Sequence, residues 1–367
     1  MFKLNHLPKS IGAIAAATAL SLLLGSGYAS AEVKANNLEQ VRDGIQQNLE
    51  SHLYQLPPRV QGHYGIRLYR MTGDTQYANS ALVDLYAVVD SQAYYACQLD
   101  KPDFIEQEAK AAIAVLGKGP RAKARKKALK PFPEFLFYTD VLLRFSSRID
   151  EFGLTGPCHE KLTKALKNTD LKPGLTDKAM IEAWAAQLIN YVYWAKQLGV
   201  GDYIEEYKTA FNEVYPDSRD KKLNKKQFRN KIYGMTHFIF AASEYYQHQV
   251  DKQTFAWILD YFDANIDRIL ADATDDIIAE VGISFHLAGL SNHPVVKKTQ
   301  AHIINAYDPK VATIPSPRGN PDLALGEHRN VLAMMLLNWP ETLHQGPYFH
   351  KLKATKKYLP KQVNIKP

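Results

Sequence analysis

Four short stretches of this chain set ionisable side chains against apolar, helix-periodic sequence. His63, Tyr64 and Arg67 follow Pro57-Pro58. A histidine near neutral pKa moves protons, a tyrosine relays them, and an arginine holds a carboxylate with two parallel hydrogen bonds. Tyr233 and His237 stand four positions apart, hence on one helical face, and open an apolar run reaching Phe240. Glu280, with Ser284 and His286, leads into the apolar segment Val281–Leu290. A carboxyl there is expected to hold its proton and serve as an acid. Glu327-His328-Arg329-Asn330 joins a Pro/Gly-rich loop to the apolar run Val331–Trp339. Each stretch also has a plainer reading, as a helix cap or a hydrogen-bonded core histidine. Gathered in one cavity, His63, Tyr64, Tyr233, His237, Glu280 and Glu327 are the candidates for catalysis. Arg67, His286, His328, Arg329 and Asn330 are the candidates for substrate binding.

The elements that must position them are helical. Phe135, Tyr138, Leu142, Phe145 and Ile149 step by three and four, as do Ile181, Trp184, Leu188, Val192 and Ala195. Ile258, Phe262, Ile266 and Ile269 share a face, and Leu332, Met335, Leu336 and Trp339 share another. Alternating β-branched stretches are nearly absent, so the expected fold is all-α, with about a dozen helices of ordinary length. Turns punctuate the helices with glycine and then an aspartate or proline: Gly73-Asp74, Gly199 to Asp202 with Glu205 as a capping-box partner, and Gly289 to Pro294. Such spacing predicts repeated helical hairpins. Gly65, Gly234 and Gly282 share a hydrophobic-Gly-hydrophobic setting, read as helix starts where a neighbouring helix or a ligand comes close. Basic stretches at 117–131 and 216–231, and the Pro/Gly-rich 306–326, break the helical pattern. A loop of that last length is more often functional than idle.

Residues 1–31 have the pattern of a secretory signal peptide: Lys3 and Lys9, then the apolar Ile11–Leu24, then Ala29-Ser30-Ala31. Cleavage after Ala31 leaves 336 residues with no further apolar run suited to a membrane span. The expected address is the bacterial periplasm or the exterior. There Cys97 and Cys158, the only two cysteines, are expected to form a disulfide. The expected domains are the leader 1–31, a helical body 32–350 and a basic tail 351–367 lying along the surface.

The whole chain carries 45 Lys+Arg against 38 Asp+Glu, a formal charge of +7 that falls to +5 once the leader is removed. Excess base on an exported protein points to an anionic glycan of the envelope rather than to nucleic acid. Two cysteines exclude a disulfide scaffold or a four-thiolate zinc site. The chain has no H-E-x-x-H, G-x-S-x-G, P-loop or G-x-G-x-x-G. No cofactor or metal is therefore expected.

The hairpin with its Thr-Gly-Asp-x-x-Tyr turn, HYGIRLYRMTGDTQY over His63–Tyr77, resembles those of the α/α-toroid carbohydrate-active enzymes. As a whole the chain resembles an uncharacterised family of secreted bacterial proteins known only as a domain of unknown function. The first resemblance implies a single toroid-like helical domain; that fold also hosts cyclases, prenyl transferases and non-catalytic proteins. The second implies no chemistry, and neither supplies a catalytic residue. The expected activity is β-elimination or hydrolysis of an acidic oligosaccharide. In elimination, Tyr233 or Tyr64 and His237 or His63 would move protons while Arg67 or Arg329 neutralises the carboxylate. In hydrolysis, Glu280 and Glu327 would be the paired carboxylates. The alternative is a non-catalytic envelope protein that holds an anionic glycan or a protein partner on its concave face.

Overall fold

Apolar residues recurring every third or fourth position become buried helix faces in the computed structural model, which describes residues 37–366. The leader expected over 1–31 lies outside the described residues. Sixteen α-helices follow: α1 (Leu38–His52), α2 (Pro58–Thr72), α3 (Gln76–Cys97), α4 (Phe104–Ala114), α5 (Pro120–Ala128), α6 (Arg144–Asp150), α7 (His159–Lys167), α8 (Lys172–Thr176), α9 (Lys178–Gln197), α10 (Ile204–Val214), α11 (Lys225–Ala242), α12 (Ala256–Ala264), α13 (Ile266–Asp272), α14 (Asp275–Leu287), α15 (Pro294–Ala306) and α16 (Leu323–Leu337). A π-helical stretch, Phe137–Leu143, runs directly into α6. Two short antiparallel strands, β1 (Leu154–Thr155) and β2 (Asn364–Ile365), tie the C-terminal segment to the body. Lys366 reinforces that tie through its amide to the Gly153 carbonyl and its ammonium to Asp150. The fold class is all-α.

The helices close a circuit. α2 packs on α16, α16 on α14, α14 on α11, α11 on α9, α9 on α6, α6 on α3, and α3 back on α2. A second set backs this one: α1 lies on α16, α15 on α14, α13 on α11, and α10 on α9. Burial separates the two sets. Every residue from Ile277 to Leu287 is buried in α14, and from Asn330 to Leu337 in α16. A helix apolar on all sides belongs to an interior. The backing helix α1 buries only Val41, Ile45 and Leu49, a single stripe.

Several expectations need correction. The basic stretch 117–131 contains α5, held against α9 by Arg125, which stacks over Trp184 and bonds the Ala183 carbonyl. The stretch 216–231 contains a 3-10 turn and the first turns of α11. The capping box expected at Asp202 and Glu205 does not form, because Tyr203 rather than Asp202 caps α10. One forms instead between Asn224 and Gln227. Gly65, Gly234 and Gly282 therefore sit well inside their helices. Each faces a neighbouring element: a Cβ on Gly65 would meet the Tyr77 carbonyl at 2.6 Å, on Gly234 Ala185 at 2.9 Å, and on Gly282 the Thr299 hydroxyl. They serve helix packing, not ligand approach.

Candidate functional site

The polar residues of the inner helices sit at a common depth. His63, Glu280 and His328 are each the sixth residue of α2, α14 and α16. Helices placed side by side around the circuit thus bring these residues together, and α11 adds Tyr233 and His237. A cavity of about 260 Å³ opens among them. His63 and Arg67 from α2, Tyr233 and His237 from α11, and His328 from α16 line it.

Behind the wall stand the two carboxyls. Glu327 meets His63 Nδ1 at 2.7–2.8 Å. Glu280 accepts a hydrogen bond from Thr236 Oγ1 at 2.7 Å and lies 3.7 Å from His237 Nδ1 and 3.9 Å from His328 Nε2. Both are almost fully buried. Burial pushes the Glu327 carboxyl up to about 7, against the opposing pull of Arg67, and pushes Glu280 well above the usual carboxylate range. Burial also lowers His237 to about 3 and His328 to about 4, with His328 held down further by His63. His63 falls well below its ordinary value through burial and then the charge of Arg67. At neutral pH the cavity thus presents neutral imidazoles. His237 Nδ1 lies 3.0 Å from the Tyr233 carbonyl oxygen, so it donates there and leaves the Nε2 lone pair without a protein partner. The His237 ring meets Tyr233 edge to face at 4.4 Å. Burial raises the Tyr233 phenol, which therefore keeps its proton.

Arg67 lies over the Tyr246 ring and donates to the His63 carbonyl, but its buried Nε has no partner. Arg70, Arg144 and Arg148 also face the cavity, with Arg59 at its edge. Its floor is Tyr245 and Tyr246. With Glu244 they form three successive residues at φ of 51°, 55° and 76°, a left-handed turn that non-glycine residues adopt at a cost. Arg70 clamps this turn through the Tyr245 carbonyl at 3.1 Å and holds Glu151 at 2.9 Å. A wider cleft of about 700 Å³ meets the cavity at Tyr233 and carries Arg121, Lys127, Lys226 and Arg229.

Four expected site residues lie elsewhere. Tyr64 turns toward α1 and donates to Glu50 at 2.8 Å. His286, near the far end of α14, stacks on Trp339 at 5.1 Å and bonds Ser291. Arg329 donates to the Ile314 carbonyl. Asn330 accepts from the Ile314 amide and donates to its carbonyl, stapling the 306–326 loop to α16. Consecutive helical residues diverge by about 100°, so Glu327 and His328 turn inward while Arg329 and Asn330 turn to the loop. Sequence reasoning missed Arg59, Arg144, Arg148, Asn190, Trp194 and the two floor tyrosines. The signal available was their repetition at four-residue steps: Arg59 before His63, Arg144 with Arg148, Asn190 with Trp194.

Cys97 and Cys158 are joined in a disulfide, as expected from the sequence. Among the described residues no three His, Cys, Asp or Glu side chains gather as a metal site, and no helix is long and apolar enough to cross a membrane. No curated protein and no solved structure matches this chain. A family described as Domain of unknown function (DUF3541) matches residues 38–366, nearly all of the described residues. The helices that build the cavity all fall within that match, and the chain belongs to this family.

Proposed function

We propose that this protein is an exported enzyme that cleaves an acidic oligosaccharide by β-elimination. One observation carries the reading: His237, neutral and with a free Nε2, shares a cavity with Arg67, whose buried Nε has no partner. Arg67 holds the uronate carboxylate and draws charge from it, which acidifies the adjoining C–H. His237 Nε2 takes that proton as the carbon–carbon double bond forms. The glycosidic C–O bond breaks, and the departing oxygen takes a proton from Tyr233. The ring of His237, in edge contact with Tyr233, then returns a proton to it. Hydrolysis fits less well, because Glu280 and Glu327 buttress the wall and do not reach into the cavity. The closed circuit of helices, four of them backed by a second helix, supports the toroid resemblance, and the disulfide supports an oxidising compartment. An N-terminus at Glu32 in chain recovered from the periplasm or medium is the expected sign of export; an intact Met1 in that material would refute it.

The test is incubation with a panel of acidic polysaccharides, read by the ultraviolet absorbance of the unsaturated uronate product. His237→Ala is expected to lower kcat by about 10²–10⁴-fold, while affinity changes by no more than about threefold. Reducing ends without that absorbance would favour hydrolysis. Binding without turnover would favour the non-catalytic envelope protein.

A further inference from the structure

Arg59, His63 and Arg67 recur at intervals of four along α2, so they share one face, each step advancing roughly 6 Å along the axis. Around the cavity the other arginines are answered. Glu151 meets Arg70 at 2.9 Å, Asp84 meets Arg148 at 2.5 Å, and Asp140 lies 3.6 Å from Arg144. Among the described residues Arg59 and Arg67 have no carboxylate within ion-pair distance. Glu327 and Glu280 are held by His63 and Thr236, and neither pairs with Arg59 or Arg67. The site therefore holds two arginines without a carboxylate partner, spaced two helical turns apart with His63 between them.

Polar groups without partners make a second, independent observation. Arg67 Nε, Arg148 Nε, Asn190 Oδ1 and Tyr246 Oη are all buried, all unbonded, and all belong to residues of this one cavity. A buried polar atom left unpaired costs roughly 1–3 kcal/mol. Native proteins hold few of them, so four around one cavity mark the place a polar ligand fills.

We infer that the cavity is built for a saccharide with anionic groups on two neighbouring rings, the first carboxylate on Arg67 and the second on Arg59. This rests on the acidic-saccharide reading above and narrows it to a chain of at least two charged rings. Asn190 and Tyr246 bond hydroxyls of the inner ring.

Calorimetric titration with a uronic acid monosaccharide and the corresponding linear di-uronide tests this. Wild type is expected to bind the di-uronide about tenfold or more tightly than the monosaccharide, since each charge-assisted contact is of that order. Arg59 is exposed at the start of α2, so Arg59→Ala should fold normally. It is expected to erase the preference while leaving monosaccharide affinity within about twofold. Arg67→Ala should weaken both ligands. A preference that survives in Arg59→Ala, or equal binding of the two ligands by wild type, would overturn the two-anion site and leave the elimination reading standing. Failure of wild type to bind either ligand at millimolar concentration would overturn both.

Discussion

Glu327 and His63 share a hydrogen bond at the cavity wall, and each disfavours its charged form there. Burial accounts for most of this, since the charges of Arg67 and Arg59 fail to ionise Glu327 fully. The consequence for stability has a definite sign. A carboxyl raised from 4.5 to about 7 binds its proton more tightly when folded, so between those values stability falls as pH rises. The whole penalty, on the order of 3 kcal/mol, is reached above pH 7. His237 and His328 act oppositely: lowered to about 3 and about 4, they contribute stability that is complete above pH 6.5 and lost as pH falls. Stability should therefore peak close to neutrality. Glu327→Gln keeps the size of the side chain and a partner for His63 while removing the titration. Thermal unfolding followed across pH should show wild type losing stability relative to the variant between pH 4.5 and about 7, with a constant offset above that range. Parallel curves for the two proteins between pH 4.5 and about 7 would refute this role of Glu327.

At the scale of elements, the glycines of the inner helices limit how the residues above them are aimed. Gly65 stands between His63 and Arg67, and a Cβ there would lie 2.6 Å from the Tyr77 carbonyl and 3.0 Å from the Ala81 amide. Both are backbone atoms of the α3 hairpin partner or its approach, and they cannot swing aside. Alanine is the better helix former by about 1 kcal/mol, but overpacking against backbone costs about 1–3 kcal/mol. Gly65→Ala should therefore destabilise the protein, whereas Gly119→Ala, with nothing within 4 Å, should not. Denaturant unfolding decides it: a rise in midpoint for Gly65→Ala would show that α2 and α3 are not in contact there. These elements were partly legible in sequence. The apolar runs 277–287 and 331–337 announce interior helices, and the four ionisable stretches beside such runs lead to the cavity. Helix starts were only partly legible: Pro294 opens α15 as its position suggests, whereas a cap such as Asn224 with Gln227 is polar and reads as loop. Arg144 with Arg148 on α6, and Asn190 on α9, read as solvated faces until the circuit closes and turns them inward. Tyr245 and Tyr246 carry no signal at all, since neither glycine nor asparagine marks their left-handed turn.

At the scale of the whole molecule, the disulfide determines how firmly the circuit is closed. Cys97 ends α3 and Cys158 precedes α7, with 61 residues of separation in sequence. The enclosed segment includes α6, which with its C-cap Glu151 supplies Arg144, Arg148 and Glu151 to the cavity and lies between α3 and α9 in the circuit. Cross-linking a loop of that length lowers the entropy of the unfolded chain by an amount worth about 4 kcal/mol. Non-covalent contacts also hold this junction, since α3 packs on α7 and Lys161 donates to the Cys97 carbonyl. Replacing both with alanine should therefore leave the fold and the cavity intact while lowering stability. With an unfolding entropy of about 2.1 cal/mol/K per residue over the helical body, that loss corresponds to a fall in Tm of roughly 6 °C. Calorimetry of the double variant beside the oxidised protein measures the shift directly, and treatment with reductant should reproduce it in wild type alone. An unchanged Tm would mean that the unfolded chain is already compact across 97–158. Collapse of the helical circular dichroism at room temperature would mean that the α6 segment depends on the bond for its place in the circuit, and the cavity's arginines with it.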